Sequence, residues 1–286
     1  MKIAIASGKG GTGKTTLSTN LAHYLSKQFN VVLTDLDVEE PNSGLFIKGN
    51  PVNRLDMHKK IPNWNSEECL LCNKCKELCN FNAVSRILDE IMIFPELCHS
   101  CHACSELCPT NSLPMKNKKM GELNHIRTQQ LDFIDSQLII GEEQAVPLIA
   151  QTMNYVDENF SEDTLKIFDS PPGTSCPMIE AVKDTDLIIL ITEPTPFGFH
   201  DLQLAVEVVR QLGIDFGVVI NRAGIGNADV ENYCRENNID LLAKIPNDRK
   251  IAEIYAAGEL LYDKIPAVES ALETIHTYIQ KIREQK

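Results

Sequence analysis

The sequence predicts an α/β protein whose mainly parallel sheet is flanked by helices and interrupted by a small, cysteine-rich α+β module. Three observations carry that expectation. The N-terminus reads strand, glycine-rich turn, helix, strand. Near-continuous apolar runs recur in the second half of the chain, with helical patterns between them. Eight of the ten cysteines fall between positions 69 and 108.

Residues 2–7 form the first apolar strand, Thr15 to Phe29 a helix, and Asn30-Val31-Val32-Leu33-Thr34-Asp35 the next strand. That order opens an α/β unit. Further strands are expected at Leu165–Phe168, Leu187–Ile191, Val218–Ile220 and Leu241–Ile245, with a helix such as Leu202 to Leu212 between two of them. Apolar strands of this kind, alternating with helices, belong to a parallel sheet covered on both faces. The segment from about 54 to 118 breaks the pattern and is nearly balanced in charge, while the rest of the chain carries the acid excess. The expected division is therefore 1–57, an inserted module at 58–118, and 119–286. A module this small needs metal centres to stabilise it. Residues 121–150 read as apolar and partly helical without a motif, and Gly141-Glu142-Glu143-Gln144 as a turn or helix start.

The chain has 286 residues, 43 % of them hydrophobic and 23 % charged, which argues for a folded core and against disorder. A net charge of −13 argues against a dedicated nucleic-acid binder. No apolar run approaches a membrane span, so no stable membrane insertion is expected. The N-terminal strand runs into Gly8 too soon for a signal peptide, so a cytoplasmic protein is expected. In a reducing compartment, clustered cysteines point to metal or cluster ligation rather than disulfides.

Gly8-Lys9-Gly10-Gly11-Thr12-Gly13-Lys14-Thr15-Thr16 matches the phosphate-binding loop and lies between a strand and a helix, as that loop requires. The fold class narrows to a P-loop NTPase. Backbone N–H groups and the helix N-terminus would cradle phosphates. Lys14 would reach the β- and γ-phosphates, and Thr15 would ligate Mg²⁺. Asp35 and Asp37 follow the second strand, where open α/β sheets bind ligands. Asp169 ends another strand before Ser170-Pro171-Pro172-Gly173. There it would hold Mg²⁺ through water, with the Gly173 N–H near the γ-phosphate. Each aspartate has a plainer reading as a cap or solvated turn. The guanine-reading Asn-Lys-x-Asp pattern is absent, with Arg at 222 and Gly at 224, so ATP/ADP is favoured over guanine nucleotides.

Cys69, Cys72, Cys75 and Cys79 recur 29 residues later as Cys98, Cys101, Cys104 and Cys108, and Ala83-Val84 matches Ser112-Leu113 in the same register. Each run has the bacterial ferredoxin spacing, in which three cysteines hold one cubane and the fourth serves the other. The expected ligand sets for two [4Fe–4S] clusters are Cys69, Cys72, Cys75, Cys108 and Cys98, Cys101, Cys104, Cys79. The second run ends in Cys108-Pro109, the first in Cys79-Asn80. Zinc is the alternative, although its sites usually pair two knuckles across a longer loop. His99 and His102 read as neighbours of the ligands. Cys234 reads as a small buried hydrophobe. Cys176 reads as packing, or else as a nucleotide-sensitive thiol.

Lys9 to Thr16 resembles the deviant Walker A motif of MinD/ParA-like ATPases, a group that includes nitrogenase iron protein and iron–sulfur carriers. The resemblance covers the chain outside the insert. It implies an ATP-dependent homodimer with nucleotides at the interface, Lys9 reaching the partner's nucleotide and Asp37 orienting or activating water and serving the Mg²⁺ site. Asp169 to Gly173 resembles the second switch. Asn221-Arg222 and Ile245-Pro246-Asn247-Asp248 resemble the adenine-contacting elements. As a whole, the chain resembles MinD-like ATPases with an inserted ferredoxin domain.

Three functions follow as expectations. The first is an ATPase switch coupled to electron transfer with an unidentified redox partner. The second is an ATP-dependent cluster carrier or scaffold with an unidentified acceptor. The third is a positioning or partition ATPase. For the last, Leu272, Ile275, Ile279 and Ile282 form an apolar stripe that reads as a packed final helix or a membrane tail. Its polar face, with Glu273, Lys281, Arg283, Glu284 and Lys286, is mixed in charge and weak for anionic lipid.

Overall fold

The computed structural model describes residues 1–285. The first half of the chain comprises β1 (Lys2–Ala6), α1 (Lys14–Leu25), β2 (Val31–Asp35), β3 (Asn50–Pro62), α2 (Lys74–Leu78), β4 (Val84–Ile87), β5 (Glu90–Ile93), α3 (Ala103–Glu106), β6 (Met115–Arg127) and β7 (Asp132–Leu138). The second half comprises α4 (Ala145–Asn159), β8 (Leu165–Asp169), α5 (Cys176–Val182), β9 (Leu187–Thr192), α6 (Pro196–Leu212), β10 (Phe216–Ala223), α7 (Asp229–Glu236), β11 (Asp240–Pro246), α8 (Arg249–Ala256) and α9 (Pro266–Glu284). The sheet runs β11-β10-β9-β1-β8-β2-β7-β6-β3.

The chain forms two compact units. The first comprises Met1–Arg54, Leu123–Gln137 and Ile149–Lys286; the second comprises Leu55–Glu122 and Leu138–Leu148. The second unit thus takes in 138–148, which the sequence reading leaves with the final segment.

In the first unit the pairs β1–β8, β1–β9, β9–β10, β10–β11, β2–β8 and β2–β7 are all parallel. Strands β2, β8 and β9 are buried along their whole length. That explains their largely apolar pattern, because helices cover both faces. The register sets Asp35 beside Asp169 at the carboxyl ends of β2 and β8, so the topology brings the acidic residues to the P-loop end of the sheet. The apolar stripe of α9 lies in the core with β1, β2 and α1: Leu272, Ile275, Ile279 and Ile282 are buried. Packing therefore claims the stripe that a membrane tail would need. Lys286 lies outside the described residues. No helix among the described residues is long and apolar enough to cross a membrane.

The stretch 121–150 is helical in part, from Ala145 onward, while 121–138 is strand and turn. The latter contains the end of β6, a tight turn closed by Thr128 N–H to Leu131 O at 2.9 Å, and β7. The strand alternation is disguised by His125, which is buried yet bonded to Asp132 at 2.7 Å and Tyr155 at 3.1 Å.

In the second unit the sequence repeat is also a backbone repeat. The left-handed residues Leu71, Asn73 and Asn82 recur as Ser100, His102 and Asn111, each 29 positions on. The hydrogen bonds Glu77 N–H to Asn73 O and Cys79 N–H to Lys76 O recur as Glu106 to His102 and Cys108 to Ser105. Ala83, Val84, Ser112 and Leu113 are all buried. The hairpin β4–β5 is antiparallel. Lys59 and Glu142, each with a side chain 1 % exposed, pair at 2.8 Å. Desolvating two charges is tolerable only with such mutual pairing.

Candidate functional site: a phosphate-binding pocket and two cysteine cavities

The loop between β1 and α1 is shaped by glycines that nothing larger replaces. Gly13 caps α1 with φ +100°, and a Cβ there would meet Asn221 Nδ2 at 2.3 Å. A Cβ on Gly8 would meet Asp201 O at 2.1 Å. The loop opens onto a cavity of about 470 Å³ lined by Gly10, Gly11, Gly13, Lys14, Thr15, Thr16, Asp37, Asp169, Asn221, Arg222, Pro246 and Asp248. Residues chosen from five separate stretches of sequence thus meet around one space.

Four further expected residues stand beside that cavity without lining it. Thr12 is buried, and its carbonyl accepts from Asn221 Nδ2 at 2.8 Å. Gly8 packs against Asp201. Gly173 donates its N–H to Ser7 O at 3.0 Å, tying the segment after β8 to the start of the loop. Lys9 Nζ lies 3.5 Å from Glu193 Oε2, while Arg222 Nη1 takes the other oxygen of Glu193 at 2.7 Å. The Asn221 amide, expected at a base edge, is engaged with the backbone, since its Oδ1 accepts from Arg222 N–H at 2.9 Å.

The acidic floor is finely partitioned. Asp35 accepts backbone N–H groups from Asp37, Asn42 and Ser43 at 3.0, 2.9 and 2.9 Å. It is therefore a scaffold for the loop after β2. Burial, then the neighbouring Asp169, pushes its carboxyl up to about 7 against those three bonds. Asp169 Oδ2 accepts from Ser43 Oγ at 2.8 Å, while its buried Oδ1 has no hydrogen-bond partner. An orphaned buried carboxylate oxygen beside Thr15 fits a Mg²⁺ site. Burial lowers the Lys14 ammonium from its ordinary value, opposed by Asp169, Asp37 and Asp35. Burial also raises Asp37, opposed by Lys14.

The raised Asp35 predicts a pH signature. Between its unfolded value of 3.8 and about 7, the folded protein holds a proton that the unfolded chain has released. Stability therefore falls as pH rises through that window. Asp35→Asn removes the titration, so the wild-type melting temperature drops relative to this variant from about pH 4 to about pH 7 and then runs parallel. Thermal melts of both proteins across that range check it; a constant difference refutes it.

Sequence reasoning missed Ser43, Asn42, Glu193 and Tyr255. Tyr255 lines the cavity, with its ring centroid 5.0 Å from that of Phe46. A larger open groove of about 1090 Å³, lined by residues including His23, Lys48, Arg127 and Lys264, contains none of the expected site residues.

The second unit holds two small cavities, each bordered by four cysteines. One is lined by Cys69, Cys72, Cys75 and Cys108, the other by Cys79, Cys98, Cys101 and Cys104. Burial raises the Cys75 and Cys98 thiols and pushes Cys104 up to about 11. Burial raises Cys108 too, but hydrogen bonds from Thr110 and Ser112 outweigh it and bring that thiol below its ordinary value. Cys79 Sγ accepts from Ala83 N–H at 3.2 Å. Among the described residues, no three His, Cys, Asp or Glu side chains gather as one metal ion would require. His99 stacks on Phe81, and His102 caps α3. Cys234 is buried in α7, and Cys176 is exposed at the start of α5.

Residues 3–261 match the CobQ/CobB/MinD/ParA nucleotide-binding domain, CbiA. An uncharacterised protein of Methanocaldococcus jannaschii is 34 % identical over 288 residues, covering 99 % of this chain and 97 % of that one. An iron-sulfur cluster carrier protein of Pyrococcus horikoshii is 23 % identical over 311 residues, covering 100 % of this chain and 88 % of its own. The septum site-determining protein MinD from the same organism, solved in complex with Mg-ADP, superposes with a TM-score of 0.57 at 18 % identity, covering 96 % and 93 % of the two chains. That structural likeness concerns the fold, while the family match spans most of the sequence. With a P-loop at the carboxyl end of a parallel sheet and a match over nearly its whole length, the chain belongs to the CobQ/CobB/MinD/ParA nucleotide-binding family.

Proposed function

We propose that the protein is an ATP-hydrolysing homodimeric switch that couples nucleotide state to electron transfer through two [4Fe–4S] clusters. The observation that carries the redox half is the sorting of eight cysteines into two cavities. Each contains three cysteines of one run and the fourth of the other. A cubane takes its thiolates at its corners, so a four-cysteine cavity is the feature that fits it. The clusters supply one-electron storage when bound.

On the nucleotide side, Lys14 binds the β- and γ-phosphates, and the glycine N–H groups cradle them. Thr15 and Asp169, with Asp37, would hold Mg²⁺, which would offset phosphate charge when bound. Asp37 orients the attacking water. Lys9 leaves Glu193 for the phosphates of the partner's nucleotide. Arg222, Pro246 and Asp248 border the base, while Asn221 holds their loop to the P-loop.

The relatives named as iron-sulfur cluster carriers favour a second reading, delivery of the cluster itself. One experiment separates the two. The reconstituted protein is cycled with Mg-ATP beside an apo-ferredoxin and re-isolated anaerobically. The electron-transfer reading expects iron and sulfide to stay with the chain and the midpoint potentials to shift with a non-hydrolysable ATP analogue. Transfer of iron and sulfide to the acceptor, or potentials indifferent to nucleotide, overturns it.

A further inference from the structure

The two halves of the cysteine repeat share a backbone but surround their cavities differently. Thr110 lines the first cavity, its hydroxyl 3.8 Å from Cys108 Sγ and 2.6 Å from Ser112 Oγ. Its counterpart, 29 residues earlier, is Phe81, which lines the second cavity and stacks on His99 with ring centroids 3.7 Å apart. Ser112 corresponds to Ala83, so the hydroxyl pair on Cys108 has no equivalent at Cys79.

The same contrast holds for charge. Lys74 lines the first cavity and its counterpart Ala103 the second, where His99 and His102 stand in place of Leu70 and Asn73. Arg86 Nη1 donates to Leu71 O at 2.5 Å, on the loop that carries Cys72. The residue at the matching position is Met115, which lines the second cavity. One cation, Lys59, acts on Cys98 of the second set and is itself paired with Glu142 at 2.8 Å.

Reduction adds a negative charge to a cluster already carrying thiolates. Hydrogen-bond donors and cations stabilise that charge, and an apolar wall raises its cost. Resting on the reading of both cavities as [4Fe–4S] sites, we infer that the two are electronically inequivalent. The site of Cys69, Cys72, Cys75 and Cys108 is the more easily reduced, and it is where a single electron comes to rest.

The test uses the full chain, reconstituted anaerobically, with iron and sulfide quantified before an EPR-monitored titration with dithionite. Wild type is expected to show two separated midpoints. Thr110→Val with Ser112→Ala lowers the upper midpoint by about tenfold in the one-electron equilibrium, or about 59 mV, and leaves the lower one in place. Ala83→Ser raises the lower midpoint; it adds a donor and removes no contact, so it decides the matter if the double variant fails to hold its iron. Coincident wild-type midpoints, movement of the lower midpoint in the double variant, or an unmoved lower midpoint in Ala83→Ser overturns the inference alone. A wild-type chain that binds no matched iron and sulfide overturns the cluster reading and the inference with it.

Discussion

Lys14→Ala lowers ATP turnover by about 10³-fold, the scale on which single charge-stabilising groups act in transferring phosphoryl centres. The expectation follows from placement. Lys14 is 8 % exposed and lies within the field of Asp35, Asp37 and Asp169. Among the described residues, no other lysine lines the phosphate-binding pocket. Its removal takes the cation from a floor of carboxylates, so phosphate binding and turnover fall together. Lys14→Arg does not rescue, because a planar fork does not fit a loop built around a compact ammonium. Phosphate release, measured beside binding of a fluorescent ADP analogue, checks it. Turnover above a tenth of wild type in Lys14→Ala sinks the role given to this residue.

Cys79→Ser removes about half of the iron and sulfide, and the half it removes belongs to the other run. Cys79 follows Cys75 in sequence, yet it lines the cavity of Cys98, Cys101 and Cys104. Double variants make the interleaving measurable. Cys79→Ser with Cys101→Ser costs no more iron than Cys79→Ser alone, because both substitutions strike one site. Cys79→Ser with Cys72→Ser removes nearly all of it. If the runs were self-contained, the two double variants would exchange these outcomes. Non-additivity between residues that act as a unit is the diagnostic here.

The phosphate-binding loop was legible because its information is local: each glycine serves a turn within a few residues of the lysine it presents. Asp169 was legible because strand ends in a parallel sheet point to the ligand side. The cysteine sets were legible from spacing, and the structure adds the matching left-handed residues that let both runs bend alike. Ser43 was not legible. Its bond to Asp169 joins positions 126 residues apart, and a serine after Pro41-Asn42 carries no pattern of its own. Glu193 was equally silent, because its two cationic partners arrive from distant stretches of the sequence. The strands between 115 and 138 were not legible as strands because buried polar residues broke the apolar alternation. His125 and Ser136 are buried, and each is satisfied by a side chain from elsewhere in the chain.

The Asn221 side chain ties the loop after β10 to the carbonyl of Thr12. The loop proposed to border the base and the loop proposed to grip the phosphates are thereby one mechanical piece. A ligand that orders either end prepays the ordering of the other, and thermodynamic reciprocity makes the benefit equal in both directions. If the pocket takes a nucleotide as proposed, the clasp favours whole nucleotides over their fragments through cooperation between its halves.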